Sequence, residues 1–426
     1  MRSHPLHVVA ALVATWTLAP ASFSQVSHGG TPPSRQGLLQ HALQRLDLPS
    51  VNAAEARQQD LNPQPGQPLR YGLVVPLDFS AEEAGIWEFL DNGDLSWRLA
   101  LRSQDAQSLS LVLSEFVVPP GAQLFVHGPG DARVLGSYTS EEANLDGSFS
   151  FEPVLGDELV LEYVEPADAP FHGRIRLESA IHDYRGLYGL MKATGLGASG
   201  ACEVDVNCPA GSGYQNQKRA VVRLISNGFL CTGAMINNTA NNGRRLMMTA
   251  HHCGTMNNAV LYFNFDRPSC GSGTPPTQTV SGTSQKAGNK NLDYRLVEVT
   301  PVIPATYNHY FLGWDRSGAT PSSTVCIHHP AGDAKKISFD NHAPTKTSNS
   351  WQINQWDLGV TEGGSSGSPL MTPAGLFIGQ LWGGQSYCGF PYNDYYRRFD
   401  LAWSGVRSYL DPTGSNATSI GGFDPP

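Results

Sequence analysis

The chain has 426 residues, 45 of them glycine and 30 proline, and only 15% are charged. That composition suits loop-rich β structure in about two domains and excludes a helical bundle or a disordered chain. A net charge of -9 offers no field to attract nucleic acid or an anionic membrane, so neither is expected as a partner.

In chain order, residues 1–24 carry Arg2 and His4, an apolar run from Val8 to Leu18, and small residues Ala21, Ser22 and Ser24. This is the layout of a secretory signal peptide cut near Ser24, which predicts a secreted, extracellular protein. The run falls short of the roughly 20 apolar residues needed to span a membrane. Residues 25–70 are polar and Pro/Gln-rich, with a short helical stripe at Leu39, Leu43 and Leu46, and read as a flexible leader. From about 71 to 180 apolar residues alternate with period two, as in Trp97, Leu99, Leu101, then Leu109, Leu111, Leu113, and later Leu159, Leu161, Tyr163. Turn signals such as Asp91-Asn92-Gly93-Asp94 and Pro119-Pro120-Gly121 separate these runs, so a β-sandwich is expected. It contains no catalytic constellation.

Residues 193–201 are small and glycine-rich, with Arg185 and Lys192 upstream, and form a linker that a protease could enter. Beyond it, short strands are expected over 219–225, 230–236, 245–250, 259–264, 293–299, 324–328 and 375–381, alternating with turns to the end of the chain. All seven cysteines lie between Cys202 and Cys388. In an exported protein that clustering reads as a disulfide-stapled domain with one thiol over. No CxxC pair or zinc-type histidine spacing is present, so no metal site is expected.

Two motifs carry chemistry. Around Ser366 the sequence is Glu362-Gly363-Gly364-Ser365-Ser366-Gly367-Ser368-Pro369. A nucleophilic serine needs a sharp turn and free backbone N–H groups for an oxyanion, and the glycines permit both. In this Gly-x-Ser-Gly-x-Pro form the oxyanion donors would be Gly364 and Ser366. A Gly/Ser-rich surface loop is the plain alternative, while the Gly-x-Ser-x-Gly elbow does not fit because its fifth position is Ser368. The second motif, Leu246-Met247-Met248-Thr249-Ala250-His251-His252-Cys253, runs a strand into two histidines and a cysteine, where a general base could be held rigidly.

With His, Asp and Ser in that order, the chain resembles the chymotrypsin-like serine proteases. Cys231-Thr232-Gly233, Asn237-Asn238-Thr239-Ala240, Thr249 to Gly254, Gly313-Trp314-Asp315-Arg316, Ile327-His328-His329-Pro330 and Gly363 to Pro369 resemble the bacterial lysyl endopeptidases over about residues 197–420. The resemblance implies an all-β, chymotrypsin-like double β-barrel over 193–426, preceded by a β-sandwich-like propeptide over 25–192. It makes His252 the general base, Asp293 the orienting carboxylate and Ser366 the nucleophile, with His251, His328 and His329 structural. Asp293 heads the strand run Leu292 to Val299, a context that Asp266, Asp315 and Asp333 lack. Arg295 stands where the family usually carries a small or hydroxyl residue. The implied disulfides are Cys202–Cys388, Cys208–Cys270 and Cys231–Cys253, leaving Cys326 as a buried free thiol.

Asp394, in Asn393-Asp394-Tyr395, matches the carboxylate at the floor of the family's specificity pocket, and Trp382-Gly383 the edge that pairs with an extended substrate. The sequence departs from the pattern at Trp382, which replaces a histidine that stacks on a tryptophan in the family. The expected function is a secreted serine endopeptidase, made as a zymogen with its own propeptide as partner, cleaving proteins or peptides after lysine with no cofactor. An arginine-preferring enzyme and an inactive protease-fold binding protein are the alternatives. An inactive relative would usually lose part of the triad, and an esterase with an apolar pocket would not need Asp394.

Overall fold

A computed structural model describes residues 27–64, 66–144, 146–187 and 199–425. The expected signal peptide, residues 1–24, and the stretch around Lys192 lie outside them. The upstream unit is a sandwich. One sheet runs in the order Arg45–Asp47, Leu95–Arg102, Glu158–Glu165, Gln123–His127 and Val134–Tyr138, with Ile86–Phe89 also paired to Leu95–Arg102. The other runs Val154–Leu155, Ser108–Val117, Arg174–Asp183 and Gly72–Ser80, with Phe149–Ser150 beside Ser108–Val117. The period-two residues Trp97, Leu99, Leu101, Leu111, Leu113, Leu159 and Leu161 fill the space between the sheets.

The leader differs from expectation. Leu39, Leu43 and Leu46 form no helix: residues 38–44 are irregular, and Leu46 lies in Arg45–Asp47, which pairs in parallel with Leu95–Arg102. Backbone bonds from Ala100 N–H to Gln44 C=O (2.9 Å) and from Leu48 N–H to Arg102 C=O (2.7 Å) secure it. A sheet edge with unpaired amides satisfies this backbone, whereas so short a helix lacks the length to hold itself.

Downstream lie two curled sheets. The first runs Gln278–Ser281, Val260–Phe263, Val221–Ser226, Phe229–Met235, Leu246–Ala250, Tyr294–Val299 and Thr283–Asn289. Its two end strands are separated in the chain by Gly282 alone, so the sheet must turn back on itself as a barrel. The second runs Val204–Asp205, Lys336–Asp340, Thr324–His328, Pro369–Met371, Phe377–Gly384, Tyr392–Arg398, Ser350–Gln355 and Thr345–Lys346, and returns through residues 341–344 in the same way. This is the chymotrypsin-like double barrel. The expected strands are present within a residue or two, except that Gln215–Ala220 is helical before Val221–Ser226 begins and that the strand expected over 375–381 is Phe377–Gly384, ending three residues later. The run of strands is interrupted by a helix before the last short strand, Ser419–Ile420. Phe399–Leu410 is a helix whose Phe399, Ala402, Val406 and Leu410 are buried on one face, where Trp314 meets Phe399 and Trp403. The expectation missed it because Tyr392–Arg398 passes into the helix without a glycine or proline.

The sandwich packs on the first barrel. Tyr71, Val112 and Ile181 share a buried cluster with Ile225, Leu230, Val260 and Tyr262. Leu69–Arg70 adds a further antiparallel strand to Phe229–Met235, with Leu230 opposite Leu69 and Phe229 opposite Arg70.

Candidate active site

The strand Leu246–Ala250 is wholly buried and passes into a tight turn, His251–Cys253. The Cys231–Cys253 disulfide ties that turn to the neighbouring strand Phe229–Met235. On the other side of Leu246–Ala250 lies Tyr294–Val299, with Ala250 opposite Tyr294, so Asp293 arrives beside His252. Asp293 is 4% exposed. Its Oδ1 accepts from the His252 backbone N–H at 2.8 Å, its Oδ2 lies 2.7 Å from His252 Nδ1, and its carbonyl accepts from His251 N–H at 3.1 Å. An ionised carboxylate can only accept, so Nδ1 carries the proton and Nε2 is left as the basic nitrogen. Among the described residues Nε2 is buried without a hydrogen-bond partner.

Ser366 comes from the second barrel, in the loop before Pro369–Met371. The turn is glycine-dependent at two points. Gly364 has φ +96°, and a Cβ there would lie 2.8 Å from His329 O; Gly367 has φ +83°, and a Cβ would lie 2.3 Å from Thr249 Oγ1. Thr232 joins the barrels here: its N–H donates to Ser366 C=O (2.8 Å) and its hydroxyl to Gly364 C=O (3.0 Å). Ala331 N–H donates to Gly363 C=O at 2.6 Å. The N–H groups of Gly364 and Ser366 donate no hydrogen bond among the described residues.

Asp394 lies in Tyr392–Arg398 opposite Gly384 of the Trp382–Gly383–Gly384 edge. It is 1% exposed. Oδ2 accepts from Trp356 Nε1 (2.6 Å), Thr361 Oγ1 (2.7 Å) and Ser386 Oγ (2.6 Å), while among the described residues Oδ1 has only the Ser386 N–H at 3.3 Å. All four donors are neutral. Burial pushes the carboxyl above the usual aspartate range, and these donors offset part of that shift. Trp382 stacks on Arg397, whose guanidinium carbon lies 4.4 Å from the ring centre.

Residues 196–397 match the family model described as the lysyl endopeptidase C-terminal domain. Over that stretch the chain is similar to the lysyl endopeptidase family. It is a serine endopeptidase acting on peptide substrates. It is 28% identical over 403 residues to the lysyl endopeptidase of Pseudomonas aeruginosa, covering 84% of each chain. Coverage that wide reaches upstream of residue 196, into the sandwich. The secreted RxLR effector protein 73 of Plasmopara viticola is 28% identical over 223 residues, covering 46% of this chain and 53% of that one. Among solved structures, the serine endoprotease from Yersinia pestis superposes with a TM-score of 0.33 at 15% identity, covering 47% of this chain and 66% of that one.

In this lysyl endopeptidase relative the three disulfides are those the resemblance implied, with Cα atoms 5.4, 4.4 and 6.1 Å apart for Cys202–Cys388, Cys208–Cys270 and Cys231–Cys253. Cys326 is free and fully buried, its thiol pushed up to about 12 by burial. The other aspartates are engaged elsewhere: Asp266 with Lys218 and Lys335, Asp333 with Ser199 and Lys336, and Asp315 with the Ser317 N–H. Arg295 does not displace Asp293; it bonds Gln285 and the His251 carbonyl. Sequence reasoning missed Trp356, Thr361 and Ser386 around Asp394, and no local signal marks them as its partners. It also missed the leader strand at the cleft. A Cβ on Gly363 would lie 3.3 Å from Leu69 Cδ1, and one on Gly66 would lie 2.7 Å from Trp382 Nε1. Asp60 holds this strand by Arg70 Nη2 at 2.9 Å.

Proposed function

We propose that the chain is a secreted zymogen whose protease domain, residues 193–426, cleaves after lysine through His252, Asp293 and Ser366. In this reading His252 Nε2 takes the Ser366 hydroxyl proton as Oγ adds to the scissile carbonyl, and the Gly364 and Ser366 N–H groups hold the resulting oxyanion. His252 then gives the proton to the leaving amine, and a water deprotonated by the same nitrogen hydrolyses the acyl-enzyme. Asp293 fixes the tautomer and stabilises the imidazolium. The observation that carries the reading is the two-point grip of Asp293 on His252, which leaves an unpartnered Nε2.

Asp394 is the pocket floor and Trp382–Gly383 the edge for the substrate backbone. A buried carboxylate with no cationic partner favours a cationic side chain. Three neutral donors already crowd Oδ2, leaving mainly Oδ1, which suits the point charge of an ammonium better than the two-oxygen fork of a guanidinium. Residues 25–192 act as a propeptide. Its Leu69–Arg70 strand lies along the cleft rim between Gly363 and Phe229, and cleavage near Lys192 would free it to leave. No nucleic acid or membrane is a partner in this reading; among the described residues no helix is long and apolar enough to cross a membrane.

The test is mass spectrometry of a protein digest made by the secreted enzyme beside a Ser366→Ala control, with N-terminal sequencing of the mature form. Cuts after lysine by the wild type only, and a mature start between about residues 186 and 197 in the small-residue linker, are expected. Cuts after arginine would move the preference to the Trp382–Arg397 wall. No cuts from processed protein would favour an inactive binding protein.

A further inference from the structure

The Ile327-His328-His329-Pro330 motif has no part in the chemistry above, yet His328 sits directly behind the nucleophile turn. His328, Ser338 and Ser365 are all 0% exposed. His328 Nδ1 lies 2.8 Å from Ser365 Oγ, and Nε2 lies 3.0 Å from Ser338 Oγ. The proton positions follow from the ends of this chain. Ser338 Oγ–H donates to Val360 C=O at 2.8 Å, so Ser338 must accept from Nε2–H. Nδ1 is then a bare acceptor, and Ser365 Oγ–H must donate to it. Ser365 Oγ in turn accepts from Glu362 N–H at 3.3 Å.

Two further facts keep this arrangement single-valued. Burial holds the His328 imidazolium form down to about 3, with the Lys336 charge adding to it, so the ring is neutral wherever the enzyme works. The Glu203 carboxyl, 3.7 Å from Nε2, is itself pushed well above the usual range by burial and by the Glu362 charge, so the two make no ion pair. Across the turn Gly363, Gly364 and Gly367 have no side chains, and Ser366 must keep its hydroxyl for chemistry. Glu362 and Ser368, at the ends of the turn, bond Gly200 N–H and Cys326 Sγ, so Ser365 is the residue between Gly364 and Ser366 whose side chain can tether the turn. Its backbone N–H donates to Glu362 C=O (3.0 Å) and its C=O accepts from Ser368 N–H (2.9 Å), so its placement sets the peptides on both sides of it.

We infer that His328 is a positioning residue for the oxyanion turn: by holding the Ser365 hydroxyl it fixes the directions of the Gly364 and Ser366 N–H groups. His328 never touches substrate; it acts through Ser365. The inference rests on the proposed role of Ser366 and those two amides.

The test uses processed enzyme carrying Ser365→Ala, His328→Asn or His328→Leu, with the peptide amide that the wild type cleaves best. Removing one oxyanion donor outright costs about 100- to 1,000-fold, so misdirecting donors should lower kcat about 10- to 100-fold in Ser365→Ala, with KM within about twofold. A peptide aldehyde, whose adduct places an oxyanion on the same amides, should weaken by the same factor, while an amine inhibitor that only fills the pocket should keep its affinity. His328→Asn places an amide oxygen where Nδ1 was and should recover part of the activity lost in His328→Leu, even if His328→Leu folds poorly. Unchanged kcat in Ser365→Ala at a temperature well below its Tm, or equal weakening of aldehyde and amine, would overturn the inference and reduce His328 to packing. Activity surviving in Ser366→Ala would remove the triad reading and this inference together.

Discussion

Asp293 and Asp394 have similar surroundings by the measure of exposure, at 4% and 1%, but they differ in what bonds them. Asp293 is gripped by one residue through two atoms, a backbone N–H and a ring nitrogen, and that residue can become a cation. Asp394 meets an indole, two hydroxyls and an amide, none of which can take up charge. The contrast teaches that burial alone does not assign a role to a carboxylate. A carboxylate paired to a titratable group inside the protein is suited to steering a proton. One surrounded by neutral donors keeps its need for a counter-charge, which a substrate can supply.

Substituting each in turn is the strongest way to break the comparison. Asp293→Asn should lower kcat about 10,000-fold at neutral pH, because the amide NH2 would favour the wrong His252 tautomer. KM should stay close to wild type, and a steady-state assay with an active-site titration measures both. Asp394→Asn should instead act on selectivity, lowering kcat/KM for lysyl substrates about 100- to 1,000-fold, since the substrate cation would enter the site unpaired. Its turnover of an ester with a small neutral side chain should be preserved. If Asp394→Asn lost both activities equally, the two carboxylates would not have separate roles.

The smallest effect is in the pH profile and sharpens the same distinction. Burial raises the Asp394 pKa, so on acidification it takes up a proton earlier than a surface aspartate would. In the proposed pocket a lysyl substrate would bind the ionised form, so KM for that substrate should climb as pH falls through the raised value, about tenfold per unit once below it. The neutral ester should show no such rise in KM. Asp394→Asn should abolish the extra acid limb seen with lysyl substrates, and an unchanged profile would mean that Asp394 does not face the substrate cation.

Much of the site could be read from the chain because its parts are local. Thr249 to Cys253 carries the candidate base at the end of a buried strand, and Gly363 to Pro369 carries a turn only glycines permit, so each motif holds its physical reason within a few residues. The sandwich core was equally legible, since period-two alternation requires only that a strand have one buried face. The helix Phe399–Leu410 was missed even though Phe399, Ala402 and Val406 have helical spacing, because no breaker separates it from the strand before it. The leader was misread because its conformation is set by the sheet edge it meets.

The sequence by itself determined the all-β class, the motifs and the chain order of the three triad candidates, because alternation, turn chemistry and strand ends depend on neighbouring residues. Only the tertiary structure decided that Trp356, Thr361 and Ser386 surround Asp394, that Leu69–Arg70 pairs at the cleft, and that His328 holds Ser365. Those contacts join residues 33, 38, 8 and 37 positions apart or, for the leader, strands from two different units. Such pairings depend on how the strands stack, and no local pattern encodes that.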